Sequence, residues 1–187
     1  MKIYIFRHGE TTYNHARRFT GFDDPPLTEL GLKQAAIIAE KLKDKNFDIA
    51  YQTSLQRSKD TLKAVLLYHS NCKEIIEDDR MIERNYGRLN GMTHEEFITQ
   101  NGQEKFDLIH RDFFEIPPEG ESFAMVETRV QSFIDVLLAK IRRENKNVVI
   151  SAHGNSIRLF RKIMENASVA ETVNWTIPYD DFYEYKV

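Results

Sequence analysis

A short apolar strand that ends in reactive side chains constrains this chain more than any other feature of its sequence. Residues Lys2 to Phe6 are mostly β-branched or aromatic, and Arg7 and His8 follow directly. Open α/β sheets place their active sites at the carboxyl ends of central strands, where side chains are held rigidly beside a crevice. The same pattern recurs at Asn147 to Ser151, a compact apolar stretch followed closely by His153. The sequence therefore predicts two neighbouring strands that bring two histidines to one crevice.

Alternating strands and helices are predicted along the rest of the chain. Further strands are expected at Phe47 to Gln52, at Glu74 to Glu77 and, as an edge strand, at Asp181 to Val187. Helical spacing predicts a long helix from Glu121 to about Glu144 and another from Ile157 to Met164. A first helix is expected to begin near Glu29 with Thr28 as its N-cap, its apolar face comprising Leu32, Ala35, Ala36, Ala39 and Leu42.

This order of elements predicts an α/β fold, a three-layer αβα sandwich with a mostly parallel central sheet. The length of 187 residues suits a single domain spanning 1–187. Between Thr93 and Pro118, helical pieces are interrupted by Asn101-Gly102, so the segment 93–118 is expected to form a cap or lid.

Composition limits the range of partners. A formal net charge of -3 argues against a general nucleic-acid binder, so an anion site must be local. No apolar run approaches the length of a membrane span, and no signal-peptide pattern opens the chain, so we expect no membrane partner and a cytoplasmic location. Cys72, the single cysteine, cannot form an internal disulfide or a thiolate metal cluster.

Arg57 is placed where a purely structural helix would avoid it. The sequence predicts a helix capped by Thr53 or Ser54, with Arg57 in its first turn. A cation there opposes the helix dipole, and recruitment of Arg57 to an anion shared with the helix N-terminus explains its position. In contrast, we interpret Arg17 and Arg18 as a solvated loop face, because no wider basic stripe accompanies them.

These groups are suited to phosphoryl transfer. A neutral imidazole is a competent nucleophile near pH 7, so His8 can attack phosphorus while His153 stabilises the transferring oxygens. Arg7 and Arg57 supply planar charged forks that match phosphoryl oxygens. Glu83 supplies an acid that can protonate the departing oxygen and later deprotonate an incoming nucleophile.

Four ordered motifs resemble those of the histidine phosphatase superfamily, and in particular the cofactor-dependent phosphoglycerate mutases. They are Arg7 to Thr11, Thr53 to Arg57, Glu83 to Gly91 and His153 to Arg158. The resemblance implies that His8 is phosphorylated and that Arg7, Arg57 and His153 surround the phosphate, with Glu83 as the acid and base. It further implies contacts to phosphate or substrate from Asn14, Thr20, Gly21, Tyr86, His94, Arg111, Gly154 and Asn155.

The resemblance also carries expectations about ligands. It implies a small phosphorylated metabolite as substrate, no metal and no permanently bound cofactor, and 2,3-bisphosphoglycerate as a priming phosphate donor if the chain is a mutase. An insertion that contributes to subunit contacts in longer relatives is missing after Pro117-Pro118. The oligomeric state therefore does not carry over, although a homodimer is compatible with the resemblance.

Some positions depart from the mutase pattern and leave the acceptor open. His94 stands where those mutases have a substrate-binding lysine, and His110-Arg111 stands where they have paired arginines. Thr11 belongs to the phosphatase form of the opening motif. The main prediction is interconversion of 3-phosphoglycerate and 2-phosphoglycerate, and the alternative is a metal-independent phosphomonoesterase. A non-catalytic phospholigand-binding module and a metal-dependent hydrolase also remain open, although both histidines with Glu83 disfavour the first and the lack of a compact metal motif disfavours the second.

Overall fold

A five-stranded sheet runs through the middle of the protein in the order β3-β2-β4-β1-β5. A computed structural model describes all residues 1–187. The strands are β1 (Lys2–Arg7), β2 (Ile49–Gln52), β3 (Glu74–Glu77), β4 (Val148–Ala152) and β5 (Phe182–Lys186). β1, β2, β3 and β4 are parallel to their neighbours, and β5 joins β1 antiparallel at the edge.

Eight α-helices connect and cover these strands. They are α1 (Thr12–His15), α2 (Glu29–Leu42), α3 (Gln56–Leu66), α4 (His94–Asn101), α5 (Gln103–Arg111), α6 (Phe123–Glu144), α7 (Gly154–Glu165) and α8 (Val169–Asn174). Short 3₁₀ turns occupy Asp79–Met81 and Gly87–Leu89. None of the helices is long and apolar enough to cross a membrane.

The core lies on both faces of the sheet. Side chains of α6 and α7 pack on one face against alternate strand residues such as Ile5 and Ile150. Side chains of α2 and α3 pack on the other face against Tyr4, Phe6 and Val149. This alternation follows from the two-residue period of a strand, and it makes β1 and β4 buried on both faces. The predicted three-layer αβα sandwich with a mostly parallel sheet is confirmed.

The apolar face of α2 differs from the predicted one. Leu32 is 57% exposed and Ala36 is also exposed, whereas Ile38 is fully buried. The buried stripe consists of Gly31, Ala35, Ile38, Ala39 and Leu42. Gly31 belongs to it because the backbone oxygen of Glu10 lies 2.1 Å from where a Cβ would be, so the helix touches the loop after β1 at this point.

The start of α3 also differs from the prediction. Leu55 is the N-cap residue and makes no side-chain capping bond. The hydroxyl of Thr53 is engaged with His153, and the backbone N–H of Ser54 donates to Asp79. Asp24, from the loop after β1, accepts from the N–H of Gln56 at 2.7 Å and so caps the helix from a distance.

Other predicted boundaries moved by one to three residues. The long helix begins at Phe123, since Ser122 caps it by accepting from the N–H of Met125. The helix predicted from Ile157 begins a turn earlier, at Gly154, immediately after His153.

Candidate active site

The ends of β1 and β4 bring His8 and His153 together. Arg7 is in register with Ala152 across the two strands, and the N–H of His8 donates to the Ala152 carbonyl at 3.1 Å. Each histidine is the first residue after its strand, and the two ring centroids lie 5.0 Å apart. Two positions 145 residues apart in sequence thus face one another because parallel neighbours end at the same edge.

His8 is held as a neutral ring with one nitrogen available. Its Nδ1 lies 2.7 Å from the backbone oxygen of Gly9, a geometry in which Nδ1–H donates. Nε2 therefore carries the lone pair, and Arg57 Nε donates to it at 3.3 Å. Burial, followed by the nearby charges of Arg57 and Arg7, holds the pKa of His8 well below its usual range. The ring is unprotonated at neutral pH, as a nucleophile must be.

Gly9 is required by close packing beneath this ring. A Cβ at Gly9 would lie 2.2 Å from the backbone oxygen of Gly31 in α2. Any side chain would push the loop away from that helix and turn the ring of His8 out of place. The glycine therefore fixes the position of the His8 ring relative to the sheet.

His153 lies behind the pocket wall rather than in it. The residue is fully buried, and its Nε2 lies 2.8 Å from the hydroxyl of Thr53. Its Nδ1 has no protein partner. Burial, and then the charge of Arg57, lower the pKa of His153 well below its usual range. Nε2 thus holds the ring in place behind the cavity wall, beside the ring of His8.

Arg57 is buried and aimed at His8 by a fixed set of carbonyls. Its Nη1 donates to the Asp23 oxygen at 2.6 Å and its Nη2 to the Gly21 oxygen at 2.9 Å. Asp24 lies 3.5 Å away as a half-exposed counter-charge. Gly21 has φ +49, a left-handed conformation that suits glycine, and this turns its carbonyl towards the guanidinium.

Arg7 flanks His8 from a second direction. Its Nη1 donates to the Ile177 oxygen at 3.1 Å, and its guanidinium lies over the ring of Tyr179 at 3.8 Å. Its Nε is buried without a partner. The stacking on Tyr179 keeps the guanidinium plane fixed while leaving N–H groups for an anion.

Glu83 is positioned by backbone donors on two elements. Its Oε1 accepts from the N–H of Arg84 at 2.8 Å and from the N–H of Asn155, in the first turn of α7, at 3.0 Å. The side chain is nearly buried and lies in the wall of the same pocket as His8. Its other oxygen takes no hydrogen bond from the protein, so that oxygen can exchange a proton with a ligand.

These groups border a cavity of about 260 Å³, a volume that suits a small ligand. The cavity wall contains six arginines and one carboxylate, that of Glu83, which strongly favours an anionic ligand. The predicted substrate-contact residues all line it: Asn14, Thr20, Gly21, Tyr86, His94, Arg111, Gly154 and Asn155. The wall also includes five residues that sequence reasoning did not propose as contacts: Arg17, Arg18, Phe19, Arg158 and Tyr179.

The loop face of Arg17 and Arg18, predicted to be solvated, has Arg17 exposed and Arg18 half-buried, and it also forms part of the cavity wall. Both line the cavity, and Arg18 Nη1 donates to the Gly91 oxygen at 2.5 Å. That bond ties the loop after β1 to the loop that follows Glu83. Tyr179 carried no motif signal. Arg158 ends the His153 motif and lies one helical turn after Asn155, to which it donates.

Segment 93–118 contributes an imidazole pair to the cavity wall. The rings of His94 and His110 are 4.8 Å apart at 80°, and both contact Phe19 and Phe106. Burial, then the neighbouring His94 and Arg111, lower the pKa of His110 to about 3. Burial also lowers the pKa of His94. Both rings are therefore neutral near pH 7, and the cation on this side of the wall is Arg111.

The chain as a whole matches a known protein family. The family model for the histidine phosphatase superfamily, branch 1, matches residues 3–185. The chain belongs to the histidine phosphatase superfamily. Members of this superfamily are phosphotransferases or phosphatases, and the prediction that the chain is an enzyme of this kind is confirmed.

Relatives within the superfamily divide between two activities. The 2,3-bisphosphoglycerate-dependent phosphoglycerate mutase of Bartonella tribocorum is 33% identical over 92% of this chain and 85% of its own length. Bacillus stearothermophilus YhfR superposes with a TM-score of 0.88 at 26% identity, covering 100% of this chain and 91% of that one. A mycobacterial glucosyl-3-phosphoglycerate phosphatase superposes with a TM-score of 0.80 at 26% identity, covering 92% and 82%.

Proposed function

We propose that this enzyme transfers a phosphoryl group through a phosphohistidine formed on His8 Nε2. The observation that carries the proposal is the unprotonated Nε2 of a neutral ring, which accepts one long contact of 3.3 Å from Arg57 Nε and lies near the guanidinium of Arg7. In the first step Nε2 forms a bond to phosphorus while the bond from phosphorus to the ester oxygen breaks. The arginines, with the ring of His153 beside that of His8, meet the charge on the equatorial oxygens.

Glu83 completes the proton balance. Its carboxylic acid form gives a proton to the departing ester oxygen, which leaves as a hydroxyl. In the second step the carboxylate takes a proton from an incoming hydroxyl or water, which attacks the phosphohistidine and regenerates neutral His8. The position of Glu83 in the cavity wall, fixed by Asn155 and Arg84, supports this double role.

The substrate we propose first is a phosphoglycerate, with interconversion of the 3- and 2-phosphates as the reaction and 2,3-bisphosphoglycerate as the priming donor. The mutase relatives support this choice, since several are at least 30% identical over most of the chain. The surplus of guanidinium groups in the wall also supports it, because a phosphate monoester dianion neutralises only part of that charge. Asn14, Thr20, Gly21, Tyr86, Arg111 and Gly154 would then contact the bound ligand.

Hydrolysis of a phosphomonoester is the second candidate, and the imidazole pair favours it. Segment 93–118 contributes the rings of His94 and His110 to the cavity wall, and both rings are neutral. Cations at these positions would bind a substrate carboxylate more firmly. A weaker hold on the substrate leaves the phosphohistidine to water. The likeness to a phosphatase at 26% identity agrees with this reading. Segment 93–118, as a cap over the cavity, would set the balance by controlling water access.

Phosphorus NMR separates the two candidates. 3-Phosphoglycerate is incubated with the enzyme in the presence and absence of catalytic 2,3-bisphosphoglycerate. Conversion to 2-phosphoglycerate that depends on the bisphosphate identifies a mutase, and steady release of inorganic phosphate identifies a phosphatase. If neither product forms from this or other small phosphate esters, and no phosphohistidine is trapped, the proposed function is wrong.

A further inference from the structure

The loop that carries Glu83 is held by an ion pair outside the cavity. Arg129, on α6, donates through Nη1 to the carbonyls of Arg80 and Ile82, each at 2.8 Å, and through Nη2 to the carbonyl of Glu83 at 2.9 Å. Three carbonyls from one short stretch of the loop thus accept hydrogen bonds from the guanidinium of Arg129. This loop lies beyond the end of β3 and has no sheet partner, so its backbone groups depend on such contacts.

Glu121 completes the arrangement from the other side. Its Oε1 accepts from Arg129 Nε at 3.0 Å and its Oε2 from Arg129 Nη2 at 3.1 Å, a two-pronged pair. The same Oε2 accepts from the N–H of Asn85 at 2.9 Å. The pair therefore holds the loop at the carbonyl of Glu83 and at the N–H of Asn85, two residues later.

The two side chains are only 18% exposed each, which matters for how well they hold the loop. A charged pair shielded from water keeps its geometry, because few solvent molecules compete for its hydrogen bonds. Arg129 lies in the second turn of the 22-residue helix α6, whose apolar face is packed on the sheet. The pair thus ties the loop to a helix that is packed on the sheet.

Arg84 links the next residue of the loop to segment 93–118. It is fully buried, and its three donors reach the carbonyls of Ile109, Glu115 and Glu121 at 2.9, 3.0 and 2.6 Å. Glu83 therefore lies between Ile82, whose carbonyl is bonded to α6, and Arg84, which is bonded to the segment that carries His110. If either set of contacts shifts, the Glu83 carboxylate moves relative to the cavity.

We propose that the Arg129–Glu121 pair is the positioning device of the general acid: it sets the place of the Glu83 carboxylate for proton transfer to the leaving group. This rests on the proposed role of Glu83. Neither residue lines the cavity, so both act through the loop and not on the ligand. Misplacement of a catalytic group by about 1 Å costs on the order of a hundredfold in rate, so small changes in the grip have a large effect on proton transfer.

The test uses two phosphate esters that differ in their need for an acid. Glycerol phosphate has a poor leaving group that must be protonated, whereas 4-nitrophenyl phosphate has a good one that leaves without help. The Arg129→Lys substitution keeps the charge but loses the fork. We expect it to lower kcat for glycerol phosphate about tenfold to a hundredfold, and kcat for the aryl ester less than about threefold.

Arg161→Lys is the matched control. Arg161 also makes a two-pronged pair with a glutamate, Glu165, but lies on α7 against Trp175 and Tyr183 without touching the loop. We expect this substitution to change kcat for the two esters by the same small factor. A merely structural role of Arg129 would make its variant behave like the control, with equal losses on both esters, and would overturn the proposal.

The double variant Arg129→Lys, Glu83→Gln separates this proposal from the one on which it rests. Glu83→Gln alone must show the ester-selective loss; if it does not, the acid role itself fails. If it does, the added Arg129→Lys change is expected to cause no further selective loss, because the acid it positions is gone. Independent, multiplying losses would show that Arg129 acts elsewhere. Methylguanidinium added to Arg129→Ala is expected to restore turnover of glycerol phosphate, and Arg129→Lys carries the test if the alanine variant does not fold.

Discussion

The hydroxyl of Thr53 lies 2.8 Å from Nε2 of His153, and both side chains are completely buried. Thr53 stands directly after β2 and His153 directly after β4, the neighbouring strand. The bond therefore joins two strand ends across the floor of the site. When the hydroxyl donates, Nδ1 must carry the proton of the neutral ring.

Replacing Thr53 by valine is predicted to remove this control of the ring. The shape is nearly unchanged, but His153 loses the partner that fixes its orientation. We expect kcat to fall about fivefold, corresponding to a hydrogen bond worth roughly 1 kcal/mol. Thr53→Ser keeps the hydroxyl and should retain most activity. Steady-state kinetics with an aryl phosphate measures both, and equal kcat for the valine and serine variants would contradict the role.

Replacing His8 by alanine is predicted to abolish phosphoryl transfer while leaving the fold intact. Among the histidines of the cavity wall, His8 is the one whose Nε2 contacts a guanidinium, that of Arg57, at 3.3 Å. We expect turnover to fall at least about a thousandfold and acid-labile, base-stable labelling by a phosphate ester to disappear. Intact-mass spectrometry after rapid quench detects the label, and circular dichroism checks folding. Substantial residual turnover would assign the nucleophile to another residue.

The stability of the protein is predicted to fall as the pH drops below about 6.5. His8, His153 and His110 all have lowered pKa values in the folded state, chiefly through burial. An unfolded histidine takes up a proton below about pH 6.5, but these three do not until the pH is much lower. The unfolded state therefore binds more protons in this window, and acid shifts the equilibrium towards it.

His110→Phe isolates one share of this effect. The window for His110 runs from about pH 6.5 to about 3, the value to which its pKa is lowered. Lowering the pH from 7 to 5 is expected to reduce the unfolding free energy of both proteins. The reduction is expected to be smaller in the variant than in the parent protein, by at most about 2 kcal/mol. Urea unfolding at the two pH values measures this. His15→Ala, at an exposed site, should show the parental dependence. An unchanged dependence in His110→Phe would mean that its ring is not held neutral.

Converting the imidazole pair to cations is predicted to change substrate preference. The double substitution His94→Lys, His110→Arg adds positive charge beside Arg111. We expect kcat/KM for 3-phosphoglycerate to rise about tenfold relative to glycerol phosphate, which lacks the carboxylate, since a charge-assisted hydrogen bond is worth roughly 1.5 to 3 kcal/mol. His15→Lys adds charge outside the cavity and serves as control. If the ratio of the two substrates stays constant, the imidazole pair does not set the preference.

Local sequence patterns predicted the sheet and the strand ends well, because strand burial and the residue following each strand are decided by neighbours in sequence. Arg7, His8 and His153 could be placed on this basis. The start of α3 could not, since its cap is supplied by Asp24, 32 residues upstream of Gln56. Leu32 was misassigned because α2 turns its glycine, and not its leucine, towards the loop after β1.

Tertiary contacts also decided which basic residues reach the cavity. Arg17 has φ 50, and this local left-handed turn directs the loop back across the site, an outcome that charge patterning does not reveal. Arg158 and Tyr179 enter the wall through contacts with distant parts of the chain. The Arg129–Glu121 pair was equally hidden, because its role depends on three carbonyls more than 40 residues away.

The order of the strands has a consequence for synthesis. β1 is the first strand to be made, yet its two neighbours in the sheet are β4 and β5, residues 148–186. Until the ribosome has released residues 148–186, the apolar strand that precedes His8 has neither edge paired. A nascent chain arrested before Val148 therefore presents two unpaired edges of this strand to chaperones or to other nascent chains. His8 can thus take its place beside His153 only after β4 has been made.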